Sequence, residues 1–168
     1  MDFAAFFAFP GDDVPPEPQA DGALPAEMIL LPEQTEDEWA RLFRYTEQRR
    51  FRPGDALIQL GEVERAIYIL AEGVVEVLVP DSAGAVRRVT TAEPGAVIGE
   101  ISFFDSSPRS ATVRALTEGE VRVLSFEAFE VFATHEPALA RALLLDLGRI
   151  IAWRMRRNEA EARAAASR

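Results

Sequence analysis

The chain has 168 residues, 48% of them apolar, with a formal net charge of -10, one histidine and no cysteine. That length and apolar fraction suit a single globular domain. The missing thiols exclude a disulfide framework and a thiolate metal site, the lone His135 excludes the multi-histidine metal site of a cupin-type barrel enzyme, and the acidic balance opposes direct DNA binding.

The first ten residues, MDFAAFFAFP, are apolar for too short a run to span a membrane, and they lack the basic flank and cleavage site of a secretory signal. The chain therefore reads as cytoplasmic. Pro10, Pro15, Pro16, Pro18, Pro25 and Pro32 punctuate an acidic, small-residue stretch, so residues 1–33 read as a flexible tail and Pro-rich linker. Phe3, Phe6, Phe7 and Phe9 admit two readings: a tail that folds back on its own domain, or a docking peptide for an effector protein.

The domain proper is expected over residues 34–157. Thr35 and Glu38 form a capping-box pattern that predicts a helix carrying Trp39, Leu42, Phe43 and Tyr45 and ending near Gln48. Between Phe51 and Leu124, glycines break β-branched and alternating segments every eight to twelve residues, which predicts a small antiparallel jelly roll or β-barrel. Within it, Val74 to Val79 alternates, Asp81 to Gly84 is a hairpin loop, and Arg87 to Thr91 returns. The fold class is thus mainly β with flanking helices. Phe126 to Thr134 and a longer segment from Pro137 have helical spacing, the second placing Leu139, Leu143, Leu147, Ile150, Ile151 and Arg154 at intervals of three and four. That stripe is long enough for a homodimer seam but could equally be used up on the barrel. Residues 158–168 read as a polar helix end or disordered tail.

The most informative stretch is Val97 to Ala115, VIGEISFFDSSPRSATVRA. Gly99 allows close approach to the backbone, a short helical turn from Glu100 to Phe103 offers N–H groups, and Arg109 adds a planar fork of donors. Together these suit a phosphate, and Glu100 suits the hydroxyl of a ribose. A phosphate and a sugar hydroxyl side by side mean a nucleotide.

Gly99-Glu100-Ile101-Ser102-Phe103, followed by Arg109-Ser110-Ala111-Thr112-Val113, resembles the phosphate-binding cassette of the cyclic nucleotide-binding domains found in catabolite activator protein, kinase regulatory subunits and gated channels. A second signature of that family is similar to Leu57-Ile58, Gly61-Glu62, Ile67 to Leu70 and Gly73, with Glu64 standing where a small residue is usual. The resemblance covers roughly Pro32 to Arg157.

It implies a regulatory sensor rather than an enzyme, with cAMP as first ligand and cGMP as second; the composition predicts no metal, and no helix-turn-helix pattern follows the last helix, so no direct DNA binding is expected. In that resemblance Arg109 neutralises the cyclic phosphate, Ser110 bonds to a phosphate oxygen or to the base, and Glu100 accepts from the ribose 2′-OH. N–H groups of Ile101, Ser102 and Ala111 complete the pocket. Counting along the family pattern places Val89 toward the base and Arg154 near it, where Arg154 is either a purine contact or a helix-end charge. Trp153 reads as packing. The alternative is a scaffold of the same fold that binds no nucleotide.

Overall fold

The computed structural model describes residues 29–80 and 84–166. The phenylalanine-rich segment and the tip of the loop at residues 81–83 lie outside the described residues.

Helix α1 spans Glu36–Phe43 and begins as its sequence predicts: the Thr35 side chain accepts from the Glu38 N–H while the Glu38 carboxylate accepts from the Thr35 N–H. It ends earlier than expected. The N–H groups of Arg44, Tyr45 and Thr46 turn back onto the carbonyls of Arg41, Leu42 and Phe43, and the Thr46 hydroxyl also donates to Phe43. This tight turn satisfies the helix end, and the next residues are drawn into strand β1 (Glu47–Phe51) by antiparallel pairing with residues 119–123.

The remaining strands are β2 (Ala56–Ile58), β3 (Ala66–Glu72), β4 (Val75–Pro80), β5 (Val86–Ala92), β6 (Val97–Ile98), β7 (Thr112–Ala115) and β8 (Gly119–Ser125). They form two antiparallel four-stranded sheets in the orders β1-β8-β3-β6 and β2-β7-β4-β5, the expected jelly-roll arrangement, with open sheets rather than a closed barrel. Strand β3 explains the layering. Its residues Ala66 to Leu70 are all buried, because alternate side chains point to opposite faces and both faces are covered. Ala66, Tyr68 and Leu70 pack with Phe51, Val75, Val113, Val121 and Val123, while Ile67 and Ile69 pack under the helices with Leu124, Phe132 and Leu143.

Helix α3 (Phe126–His135) is capped by Ser125, whose side chain accepts from Ala128 N–H, and α4 runs unbroken over Pro137–Ala166. The last residues therefore continue the helix through Ala166. Leu139, Leu143, Leu147 and Ile150 are buried in the domain's own core, so the stripe weighed as an intermolecular seam is already used.

The end of the presumed linker also differs from expectation. Leu30 and Leu31 are buried in the same cluster; Leu30 N–H donates to the Gly95 carbonyl, Leu31 N–H to Asp146, and Arg149 to the Ile29 carbonyl. Tertiary burial of two leucines outweighs a proline-rich composition that, read locally, signals only a linker.

Candidate functional site

Strand β6 leads into the site because Ile98 and Val97 pair with Tyr68 and Ile69 of β3. The chain then turns at Gly99, in the left-handed region at φ 83°, and starts helix α2 (Glu100–Asp105). Only glycine fits: a β-carbon there would lie 2.3 Å from an Arg109 guanidinium nitrogen and 3.0 Å from the Ala66 carbonyl oxygen. The Phe103 N–H is taken by the Gly99 carbonyl, which leaves Glu100, Ile101 and Ser102 as the first-turn donors.

The return is fixed as tightly. Arg109 N–H donates to the Glu62 carbonyl and the Arg109 carbonyl accepts from Gly61 N–H, so the β2–β3 loop clamps its backbone from both sides. The Arg109 side chain is only 2% exposed. One arm donates to the Gly99 carbonyl at 3.0 Å, the other to Glu64 Oε2 at 2.7 Å, and Nε is buried with no hydrogen-bond partner. An aromatic face lies beneath, with Arg109 Cζ 5.4 Å from the Tyr68 ring centroid.

Tyr68 donates its hydroxyl to the same Glu64 oxygen at 2.7 Å. Burial pushes the Glu64 carboxyl up, but the hydrogen bonds from Arg109 and Tyr68 outweigh it and hold Glu64 below the ordinary carboxylate range. Burial, followed by the bond to Glu64, pushes the Tyr68 phenol up to about 12.

Glu100 is buried as well, and its partner comes from α4. Arg154 donates to Glu100 Oε1 at 2.5 Å and to the Val97 carbonyl at 2.7 Å. The expectation of a helix-end charge fails because α4 continues for twelve residues past Arg154, as read from its bounds at Pro137–Ala166. The guanidinium instead ties the helix to the mouth of the site.

These elements enclose a cavity of about 230 Å³. All nine residues singled out in the sequence line it: Val89, Gly99, Glu100, Ile101, Ser102, Arg109, Ser110, Ala111 and Arg154. Sequence reasoning missed the apolar wall of Ile58, Val77 and Val113, the hydroxyl-bearing Thr90 and Thr91, and Arg157 and Asn158 from α4; Trp153, read as packing, lines the cavity too. One signal was available: residues 154, 157 and 158 are spaced by three and four and so share a helix face. One end of the cavity can thus hold an anion beside a hydroxyl acceptor, and the other offers apolar walls to a flat ring. Among the described residues no group of three histidine, cysteine, aspartate or glutamate side chains could hold a metal ion, and no helix is long and apolar enough to cross a membrane.

An antiparallel jelly roll with such a cavity, and a long helix forming one wall, is a ligand-binding β-roll domain. The family model of the cyclic nucleotide-binding domain matches residues 48–136, and the chain belongs to that family. It is 28% identical over 123 residues to the cAMP-activated global transcriptional regulator CRP of Escherichia coli, an alignment covering 73% of this chain and 59% of the regulator. It is 30% identical over 134 residues to a putative potassium channel protein of Rhodopseudomonas palustris, covering 79% of this chain and 31% of that one. Among solved structures, a cyclic nucleotide-binding domain from Methylobacillus flagellatus superimposes with a TM-score of 0.72 at 23% identity, over 84% of this chain and 79% of that one. The chain thus spans from about a third to three fifths of the length of these curated relatives.

Proposed function

We propose that the domain binds a cyclic mononucleotide, cAMP ahead of cGMP, and reports its occupancy by moving helix α4. One arrangement carries the reading: Arg109, a buried cation with an unused Nε donor, faces the same cavity as the buried carboxylate of Glu100. In this reading Arg109 neutralises the cyclic phosphate, assisted by N–H groups of Ile101, Ser102 and Ala111, and Ser110 bonds to a phosphate oxygen or to the base. Glu100 accepts from the ribose 2′-OH, and Val89 with Trp153 flanks the base. Ser110 suits either purine; cAMP comes first on its frequency in the family and on the cAMP activation of the Escherichia coli relative.

The route to α4 follows from Glu100. A ribose hydroxyl arriving at its carboxylate shares or displaces the donor that Arg154 supplies, so the ligand has a differential contact with the two positions of the helix. An effector protein would read that change, docked at α4 or by the phenylalanine-rich segment. Arg154→Ala should loosen α4, costing about 1–3 kcal/mol for a partly exposed ion pair. Amide exchange over residues 150–160 should rise, and exchange equal to wild type would disprove the tie.

Gly99→Ala tests the anion site without removing any donor. The added methyl must displace the Arg109 fork and strains a left-handed backbone, so nucleotide affinity should fall at least tenfold, about 1.4 kcal/mol or more. Calorimetry on folded protein checks it.

Calorimetric titration with cAMP and with cGMP, on protein refolded from denaturant to remove carried-over nucleotide, tests the function itself. Micromolar or tighter binding to one of them is the expected result. Binding to neither favours the scaffold reading, for which one observation speaks: both Arg109 and Glu100 already have internal partners.

A further inference from the structure

The cassette explains why a cation is buried at position 109 but not why a carboxylate is bound to it. Glu64 lies in the loop between β2 and β3, 45 residues from Arg109 in sequence, at a position where the resembled pattern carries a small residue. The geometry points to Glu64 as a built-in competitor for the ligand's phosphate: its carboxylate holds one arm of Arg109 and sets a threshold that an incoming anion must exceed. This inference rests on the cyclic-nucleotide reading of the cavity.

A guanidinium has five N–H donors. Arg109 commits one to the Gly99 carbonyl and one to Glu64, while Nε is buried without a partner. Donors therefore remain for a phosphate, but a phosphate that takes them shares one cation with a second anion on the other side of the guanidinium, about 8 Å away. Their repulsion is an energetic cost that a small neutral residue would not impose.

Glu64 is also kept from swinging aside. Tyr68 donates to the very oxygen that Arg109 uses, both at 2.7 Å, and Tyr68 is itself buried in β3. A further guanidinium nitrogen, from Arg49, lies 3.4 Å from the Tyr68 hydroxyl. The carboxylate is thus held in place from behind while its target faces the cavity. The Glu64 side chain is 37% exposed, so replacing it does not open the core.

The test is calorimetric titration of wild type, Glu64→Gln and Glu64→Ala with cAMP and with cGMP. Glutamine keeps the shape and an acceptor for Arg109, and removes only the charge. It should bind the nucleotide roughly five- to thirty-fold tighter than wild type, the scale expected for deleting one like charge about 8 Å away at an effective dielectric between 20 and 40. Alanine should also bind tighter; it is the variant read if glutamine does not fold. Binding by a variant but not by wild type supports the same competition in its extreme form. Wild type that binds with variants no tighter overturns the inference and leaves the cyclic-nucleotide reading intact, because Glu64 is then a support for Arg109. No binding by any of the three overturns both.

Discussion

Arg109→Ala is expected to weaken cyclic-nucleotide binding by roughly thirty-fold to several thousand-fold, a loss of about 2–5 kcal/mol. The size follows from where the guanidinium sits. At 2% exposure it acts in a site from which water is largely excluded, so its attraction for a phosphate is screened far less than a surface pair would be. The two other cations lining the cavity both come from α4 and are engaged there: Arg154 with Glu100 and the Val97 carbonyl, and Arg157 with the Trp153 ring, 5.5 Å from its centroid. Truncation also leaves Glu64, still held by the Tyr68 hydroxyl, without its guanidinium, which adds repulsion to the lost attraction.

Arg109→Lys separates charge from geometry. A lysine keeps the charge but not the planar fork that meets the Gly99 carbonyl and the phosphate together, so it should recover only part of the loss. Titration of refolded protein is the measurement, with a thermal melt to show that the variant is folded. An affinity within threefold of wild type would mean that Arg109 is not the phosphate ligand.

The site was legible in sequence to the extent that it is local. Gly99 to Ala111 spans one turn, one short helix and one return, and each residue type there has a chemical reason visible without a fold. What escaped was tertiary. Glu64 was visible as a departure from the pattern, but its bond to Arg109 exists only because Gly61 and Glu62 clamp the Arg109 backbone. The apolar wall of Ile58, Val77 and Val113 comes from three strands of the second sheet, β2, β4 and β7, a pairing order that no single segment states. The early end of α1 and the burial of Leu30 and Leu31 are the same lesson: local composition and propensity were overruled by partners far along the chain.

Gly119→Ala is expected to be the most destabilising small change among the described glycines, costing about 3–5 kcal/mol of folding free energy. Gly119 opens β8 at the point where it faces Phe51 of β1 and passes the end of β3. A β-carbon there would lie 2.1 Å from the Glu72 carbonyl oxygen, 2.7 Å from the Glu72 carbonyl carbon and 2.5 Å from Phe51 Cζ. Two of these atoms are backbone within a sheet and cannot give way as a flexible side chain could. The register of β3 against β8 already shifts between Leu70 and Glu72, so the strands are fitted to a residue with no side chain. Gly73 sits at the same crossing, its own absent β-carbon 2.6 Å from the Glu118 carbonyl oxygen.

The choice of control makes the cause readable. Gly54 has φ 92° and nothing within 4 Å of its missing β-carbon, so Gly54→Ala reports the cost of the left-handed backbone alone, about 1–2 kcal/mol. Gly119 is not among the positive-φ glycines, so its cost is steric. Denaturant titration of both variants gives the comparison, and a loss under about 1 kcal/mol for Gly119→Ala would mean that the β3–β8 crossing yields. The site offers a second discrimination. Strand β3 carries the Ala66 carbonyl against Gly99 and the Tyr68 hydroxyl against Glu64, both near the far end of the strand from Glu72. Protein that remains folded should therefore bind nucleotide with near wild-type affinity, and a variant losing affinity without stability would place the strain in the cassette instead.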